Sequence, residues 1–341
     1  MSSVSLLAGA ILASLVMYSL LAGADYGAGL WDLLCHGPRQ SEQRHLIEQA
    51  IGPVWEANHV WLILTIVLLF SGFPDAFGAL CVGLAIPLFL VLLGIVLRGC
   101  SFVFRSYFTG ERRTQLYWGK VFSISSSMTP LFLGILIGSI SCDSVIIHGG
   151  VSENGFLKTW LLPFPLSVGI LAVSLFAYLS ACYLAVDAGN AELRDDFRLR
   201  GLIAGLVSIA MAVITYVIAG SSAVGIREEL SNRPVAWLIE VCALGSMIVA
   251  FRGLLLRRYQ QARIAAAIQV ALIVVGWGIA QYPYLIRPGI TIANSAAPRN
   301  VAAAIDVALG CGAIVLIPSL TMLFAIFKGT RGVTQQEQAG D

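Results

Sequence analysis

The sequence predicts an all-α polytopic membrane protein of nine transmembrane helices, arranged as two four-helix bundles plus one additional helix. Three observations carry this. First, 58% of the 341 residues are hydrophobic and only 12% are charged, with a mean hydropathy of +0.84. Soluble chains carry about 25% charged residues. Second, nine apolar stretches approach the roughly 20 residues needed to cross a bilayer. Third, Lys and Arg alternate between the loops as the positive-inside rule requires.

In chain order, the expected spans are 5–30, 53–71, 76–97, 120–140, 160–186, 201–220, 235–255, 264–282 and 301–327. Helix-breaking pairs fit their ends: Gly37-Pro38, Gly52-Pro53, Phe73-Pro74, Arg233-Pro234 and Pro288-Gly289. The N-terminus lacks a basic segment before its long apolar run, so it reads as a first span and not as a cleaved signal peptide. Residues 1–328 then form one integral membrane domain and 329–341 a polar cytoplasmic tail. No loop is long enough for a separate soluble domain.

Of the 21 Lys and Arg, 16 fall in the loops after spans 1, 3, 5 and 7 or in the tail. The opposite side holds only Lys158, Arg227, Arg233, Arg287 and Arg299. This places the C-terminus in the cytoplasm and, with an odd number of spans, the N-terminus outside. The net charge of +2 and the loop placement of the basic residues argue against a nucleic-acid partner. Seven isolated cysteines, without CxxC or Cys/His clusters, exclude a disulfide framework, an iron–sulfur site or a structural zinc.

Ionisable groups within the apolar segments are the candidates for chemistry, because each costs roughly 2.5–3.5 kcal/mol to insert unless a partner or water-filled path receives it. The second span opens on Trp55, Glu56, Asn58, His59 and Trp61. Glu56 and His59, three apart, share a helical face. A wet interfacial helix start with tryptophans in the headgroup belt is the plainer account of the same residues. In the first span, GADYGAGLWDLL sets Asp25, Gly29 and Asp32 on one face, with Gly23, Gly27 and Gly29 open to close helix approach. Asp25 lies two turns deep and reads as functional; Asp32 reads as a near-surface group. Arg98 closes the third span, where it could neutralise a buried carboxylate such as Asp25, whereas Arg105 would snorkel to the surface. Glu240 and Asp306 lie within later spans, and Asp187 at a wet helix end. Of four histidines only His59 belongs to an apolar helix, so a bis-histidine haem is not provided for, and methionines in such helices usually serve packing. No metal site is expected.

Four separated stretches carry a resemblance. IGPVWEANHVWLI followed by Phe73-Pro74, the upstream GADYGAGL, LRGCSFVFRS and the late QYPYLIRPGITIANSAAP together resemble subunit II of cytochrome bd-type quinol oxidases, in order and over nearly the whole chain. The resemblance implies a haem-free subunit II that supports a haem-bearing subunit I as a heterodimer in a prokaryotic cell membrane. A small single-helix subunit could accompany them. Subunit I would carry haem b and haem d. The complex would oxidise quinol and reduce O2 to water, taking protons from the cytoplasm, and this chain could hold a structural quinone or a lipid. Carried over by position, Asp25, Glu56, His59 and Arg98 become candidates for proton handling or charge balance, and Trp55, Asn58 and Trp61 for interface or structure. The chain departs from the family at Val103, where some members have an acidic residue, and at Trp118-Gly119, where many read W-D. Any proton route here therefore uses fewer carboxylates. The competing reading is a proton-coupled secondary transporter with a midplane carboxylate site, which would call for matched broken helices in two halves; no convincing pair is present. A purely structural scaffold within the oxidase is the third reading.

Reporter fusions placed in 111–115 and 194–200 should both report the cytoplasmic side. An external signal from either would break the nine-span count.

Overall fold

A computed structural model describes residues 3–52, 55–107, 112–142, 147–148, 151–152 and 155–329. Its helices are α1 (Ser3–Leu33), α2 (Gln40–Ile51), α3 (Trp55–Asn58), α4 (Val60–Gly72), α5 (Pro74–Gly83), α6 (Ala85–Tyr107), α7 (Arg112–Ser141), α8 (Gly155–Lys158), α9 (Pro163–Asp187), α10 (Ala191–Ser222), α11 (Val224–Asn232), α12 (Pro234–Leu255), α13 (Tyr259–Gln281) and α14 (Arg299–Gly329). Two short antiparallel hairpins pair β1 (Ile147–His148) with β2 (Val151–Ser152) and β3 (Tyr284–Ile286) with β4 (Ile290–Thr291). Among the described residues, nine segments are long and apolar enough to span a membrane: α1, α3–α4 together, α6, α7, α9, α10, α12, α13 and α14.

Their packing gives the expected grouping. Spans α1, α4, α6 and α7 form one bundle and α9, α10, α12 and α13 the other, joined where α1 and α7 meet α9. The ninth span, α14, packs chiefly on α1 and α4 and leaves most of its surface open. The post of the structure is α9, whose face from Leu175 to Ala185 is almost wholly buried.

Glycine and small residues bring α1 and α9 together. A Cβ at Gly27 would collide with the Phe176 carbonyl, and one at Gly23 would stand 2.8 Å from the Phe176 ring. The helices therefore meet backbone to backbone, and the Trp31 indole N–H seals the contact by donating to the Ala177 carbonyl at 2.8 Å. With no hydrophobic drive between helices in lipid, such close packing and hydrogen bonding carry the association.

Three boundaries differ from the sequence reading. The third span, expected at 76–97, is instead α6, with the separate short helix α5 before it. Pro87 explains the shift: in the first turn of α6 its missing N–H costs nothing. The Gly83 carbonyl, which an amide at that position would have bonded, accepts from the Thr159 hydroxyl at 2.9 Å. Arg98 consequently lies within α6, not at its end. The loop after the first span holds an amphipathic helix, α2, that apolar run lengths do not reveal. Finally, α10 starts ten residues before the expected span, its first N–H groups capped by the Asn190 side chain, which accepts from the Leu193 amide at 2.7 Å. The polar tail lies, from residue 330, outside the described residues, as does Pro53.

The loops expected on the basic side do gather at one end. Arg39 pairs with Glu192 and Asp196, Arg105 with Asp32, Arg257 with Asp195, and Arg263 with Asp187. At the other end the Arg287 amide donates to the Ile140 carbonyl and the Ala297 amide to that of Gly72. Moving Arg98 out of the loop tally leaves the charge bias intact.

Gly27→Ala should lower the thermal midpoint of the purified protein by the equivalent of roughly 1–3 kcal/mol, the usual cost of overpacking. Gly9→Ala and Gly78→Ala, where an added methyl meets nothing within 4 Å, should leave the midpoint unchanged. Equal midpoints for all three would remove the backbone-contact account.

Candidate intramembrane polar site

The glycine-lined half of α1 presents Asp25, Tyr26 and Asp32 to the interior, all buried. Asp25 accepts from the Asn58 side-chain amide at 2.5 Å. α3 runs on into α4 through His59, which keeps helical angles (φ −71°, ψ −16°). Asn58 and Glu56, two residues apart, therefore lie on opposite sides of the span, Asn58 buried and Glu56 exposed. Glu56, expected to share a face with His59, is the more exposed of the two. His59 is half-buried, its ring centroid 6.0–6.3 Å from those of Tyr18, Tyr26 and Trp55.

Arg98 is the largest fully buried side chain, only 2% exposed. Its guanidinium lies over the rings of Tyr26 at 4.8 Å, Phe122 at 5.5 Å and Trp55 at 6.0 Å. Its Nε donates to Ser126 Oγ at 3.2 Å, and Ser126 is admitted by Gly29, where a Cβ would overlap it. Tyr18 and Tyr26 share a hydroxyl hydrogen bond at 3.1 Å, and the charges of Asp25 and Arg98 both reach those hydroxyls. Thus the structure brings Asp25, Trp55, Asn58, His59 and Arg98 into one cluster, with Trp61 beside Tyr26, and leaves Glu56 outside it. Four of the cluster's polar atoms, Asn58 Oδ1, Arg98 Nη2, His59 Nδ1 and Trp61 Nε1, are buried without a hydrogen-bond partner among the described residues.

Two turns beyond Asp25 on α1, Asp32 is not the near-surface group the sequence suggested. It accepts from Ser123 Oγ at 2.6 Å and from Arg105 Nη1 at 3.0 Å, with Arg44 Nε at 3.8 Å. Arg105, expected to snorkel, is 15% exposed and committed to that carboxylate. Desolvating Asp32 leaves it no water, so it takes two cations and a hydroxyl instead. Neither Ser123 nor Ser126 stood out in the sequence. The signal was the run of hydroxyls from Ser123 to Thr129, which is unusual inside an apolar span.

A cavity of about 30 Å³ lies between α1 and α9, lined by Asp25, Asn58, Ser180, Tyr183 and Asp187 among others. That is room for about two waters, and its lining has the polar partners waters need. Asp187, which the sequence assigned only to a wet helix end, stands on its rim, 3.9 Å from Arg263. Glu240 is exposed on α12 and does not join the site; Asp306 Oδ1 on α14 is buried without a described partner. No group of three or more His, Cys, Asp or Glu among the described residues is placed to hold a metal ion.

Nine spans in a four, four and one arrangement, closed around an arginine and a carboxylate, define a multi-pass helical membrane protein with an internal polar site. Residues 4–327 match the family model for cytochrome bd terminal oxidase subunit II, and the chain belongs to that family. It is 26% identical to the cytochrome bd-I ubiquinol oxidase subunit 2 of Escherichia coli K12, covering 91% of this chain and 89% of that one. A second relative, the cytochrome bd ubiquinol oxidase subunit 2 of Bacillus subtilis, is 27% identical over 67% of this chain and 66% of its own length. The structure of bd oxidase from Geobacillus thermodenitrificans superposes with a TM-score of 0.79 at 25% identity, covering 96% of this chain and 99% of that chain. The chain is accordingly a subunit of a membrane oxidoreductase complex of the bacterial membrane.

Asp32→Asn should destabilise the protein by about 3–5 kcal/mol, because it leaves a buried cation uncompensated. The double variant with Arg105→Gln should lose less than the sum of the single losses. Additive losses in thermal unfolding would mean that the pair is not coupled.

Proposed function

We propose that this chain is the haem-free subunit II of a cytochrome bd-type quinol oxidase. In this reading it braces a subunit I that carries haem b and haem d, and it helps bring protons from the cytoplasm toward that partner. Its N-terminus lies outside and its C-terminus in the cytoplasm. The observation that carries the reading is the Asp25–Asn58 pair opening onto a water-sized cavity that reaches Asp187 at the basic end of the bundle. A carboxylate at the inner end of a water-sized cavity can be reached by a proton along it. Glu56, exposed at the start of the second span and without a described partner, is the carboxylate that a neighbouring subunit would meet. It would hand protons on, or balance charge, across that boundary. His59, wedged among aromatic rings beside the Arg98 cation, supports a packing role. Trp55, Asn58 and Trp61 frame that end of the cluster. The reading includes a structural quinone or a lipid held by this chain.

Steady-state oxygen uptake by purified complexes of matched haem content tests this. Glu56→Asp should retain most turnover. Glu56→Gln and Asp25→Asn should assemble yet turn over more slowly, Asp25→Asn by at least roughly tenfold if it relays protons. His59→Ala should keep the full haem spectrum. Wild-type turnover in both neutralised variants would leave the chain as a scaffold, and loss of a haem from His59→Ala would overturn the haem-free assignment.

A further inference from the structure

At the basic end, away from the polar cluster, a second cavity of about 340 Å³ opens between the end of α9, the start of α10 and the turn joining α12 to α13. Three of its lining residues are arginines: Arg194, Arg257 and Arg258. The size suits a small ligand group. We infer that this cavity binds a phosphate group, presented either by an anionic lipid of the adjacent leaflet or as the free ion.

The backbone at the turn is arranged to keep cations there. The α12 terminus is a Schellman closure: the Arg258 amide donates to the Gly253 carbonyl at 2.7 Å and the Arg257 amide to that of Leu254 at 3.3 Å. Such a closure places one residue in the left-handed region, and glycine usually fills it. Here Arg257 does, with φ 59°. A side chain held in a conformation that disfavours it marks a place where the side chain is needed.

The charges are cancelled only in part. Arg257 donates to Asp195 at 3.0 Å, and Asp195 also receives Arg198 at 3.3 Å. Arg194 spends its Nε on the Ala188 carbonyl at 2.9 Å, leaving its terminal nitrogens for another acceptor. Arg258 has no side-chain partner among the described residues. It sits at the N-cap of α13, where the helix dipole adds to the positive field. Arginine forks suit phosphate oxygens. Beside the cavity, Leu255, Leu256 and Ile264 are each more than half exposed, so a lipid whose headgroup sat among the arginines would lay its chains on apolar surface. Basic groups at a membrane surface attract anionic lipid in this way.

The purified complex, immobilised in detergent, is incubated with radiolabelled dioleoylphosphatidylglycerol or dioleoylphosphatidylcholine and washed with or without excess sodium phosphate. Wild type should retain phosphatidylglycerol in preference to phosphatidylcholine. Arg257→Gly with Arg258→Gln should bind the anionic lipid roughly 20-fold more weakly, as expected for losing two headgroup cations. Glycine suits the left-handed position, so this variant should fold, and its thermal midpoint checks that it has. Asp195→Asn, which frees Arg257, should strengthen retention. Elution by sodium phosphate would identify a site that reads the phosphate alone; retention through that wash would identify one that also holds the lipid chains. Equal binding of the two lipids, or equal phosphatidylglycerol retention by wild type and the double variant, would overturn the inference.

Discussion

Withdrawing the Arg98 guanidinium from water constrains much of the surrounding structure. An arginine cannot shed its charge, and in hydrocarbon several kcal/mol are at stake unless its environment replaces the lost hydration. Three aromatic faces and the Ser126 hydroxyl do so here. They come from three elements: Tyr26 from α1, Trp55 from α3, and Phe122 and Ser126 from α7. Holding them around one cation fixes how those helices meet, so the first bundle is organised by an electrostatic requirement as much as by packing.

That requirement depends on glycine. Gly29 lets Ser126 approach Arg98, and Gly27 lets α9 close on the opposite side of α1. The same stretch of α1 therefore serves both bundles, with its glycines at the contacts, Asp25 between them and Asp32 just beyond. Asp25 and Asp32 are two turns apart yet end in different circumstances. Asp32 is bonded to Ser123 and Arg105, with Arg44 nearby. Asp25 receives the neutral Asn58 amide and borders a space large enough for water. Residue type does not separate them; the company each keeps does.

The spans and their grouping were legible because length and hydropathy are local properties, and bilayer thickness converts them directly into helices. Asp25 and Arg98 were legible as expensive groups in apolar sequence. What could not be read was which side of the second span faces inward: the 3.6-residue period sets Asn58 and Glu56 on opposite sides, and only the partner Asp25 on α1 shows that Asn58 is the inner one. The placement of Arg98 mid-helix was missed for a related reason. Apolar runs on either side of Gly83-Leu84 look continuous, and only Pro87, acting with Thr159 from a distant loop, shows where α6 begins. Long-range partners of this kind leave no mark within the segment they shape.

An exposed carboxylate at the head of an apolar span is costly in lipid, and Glu56 has no described partner within the chain that would reduce that cost. Asp32 shows how this protein surrounds an interior carboxylate, with Ser123, Arg105 and Arg44. Glu56 lies on a different footing, one turn from the buried cluster yet turned away from it. Two residues apart on the helix, Asn58 and Glu56 fall on opposite sides, so that one polar segment serves an interior carboxylate and an outer surface together.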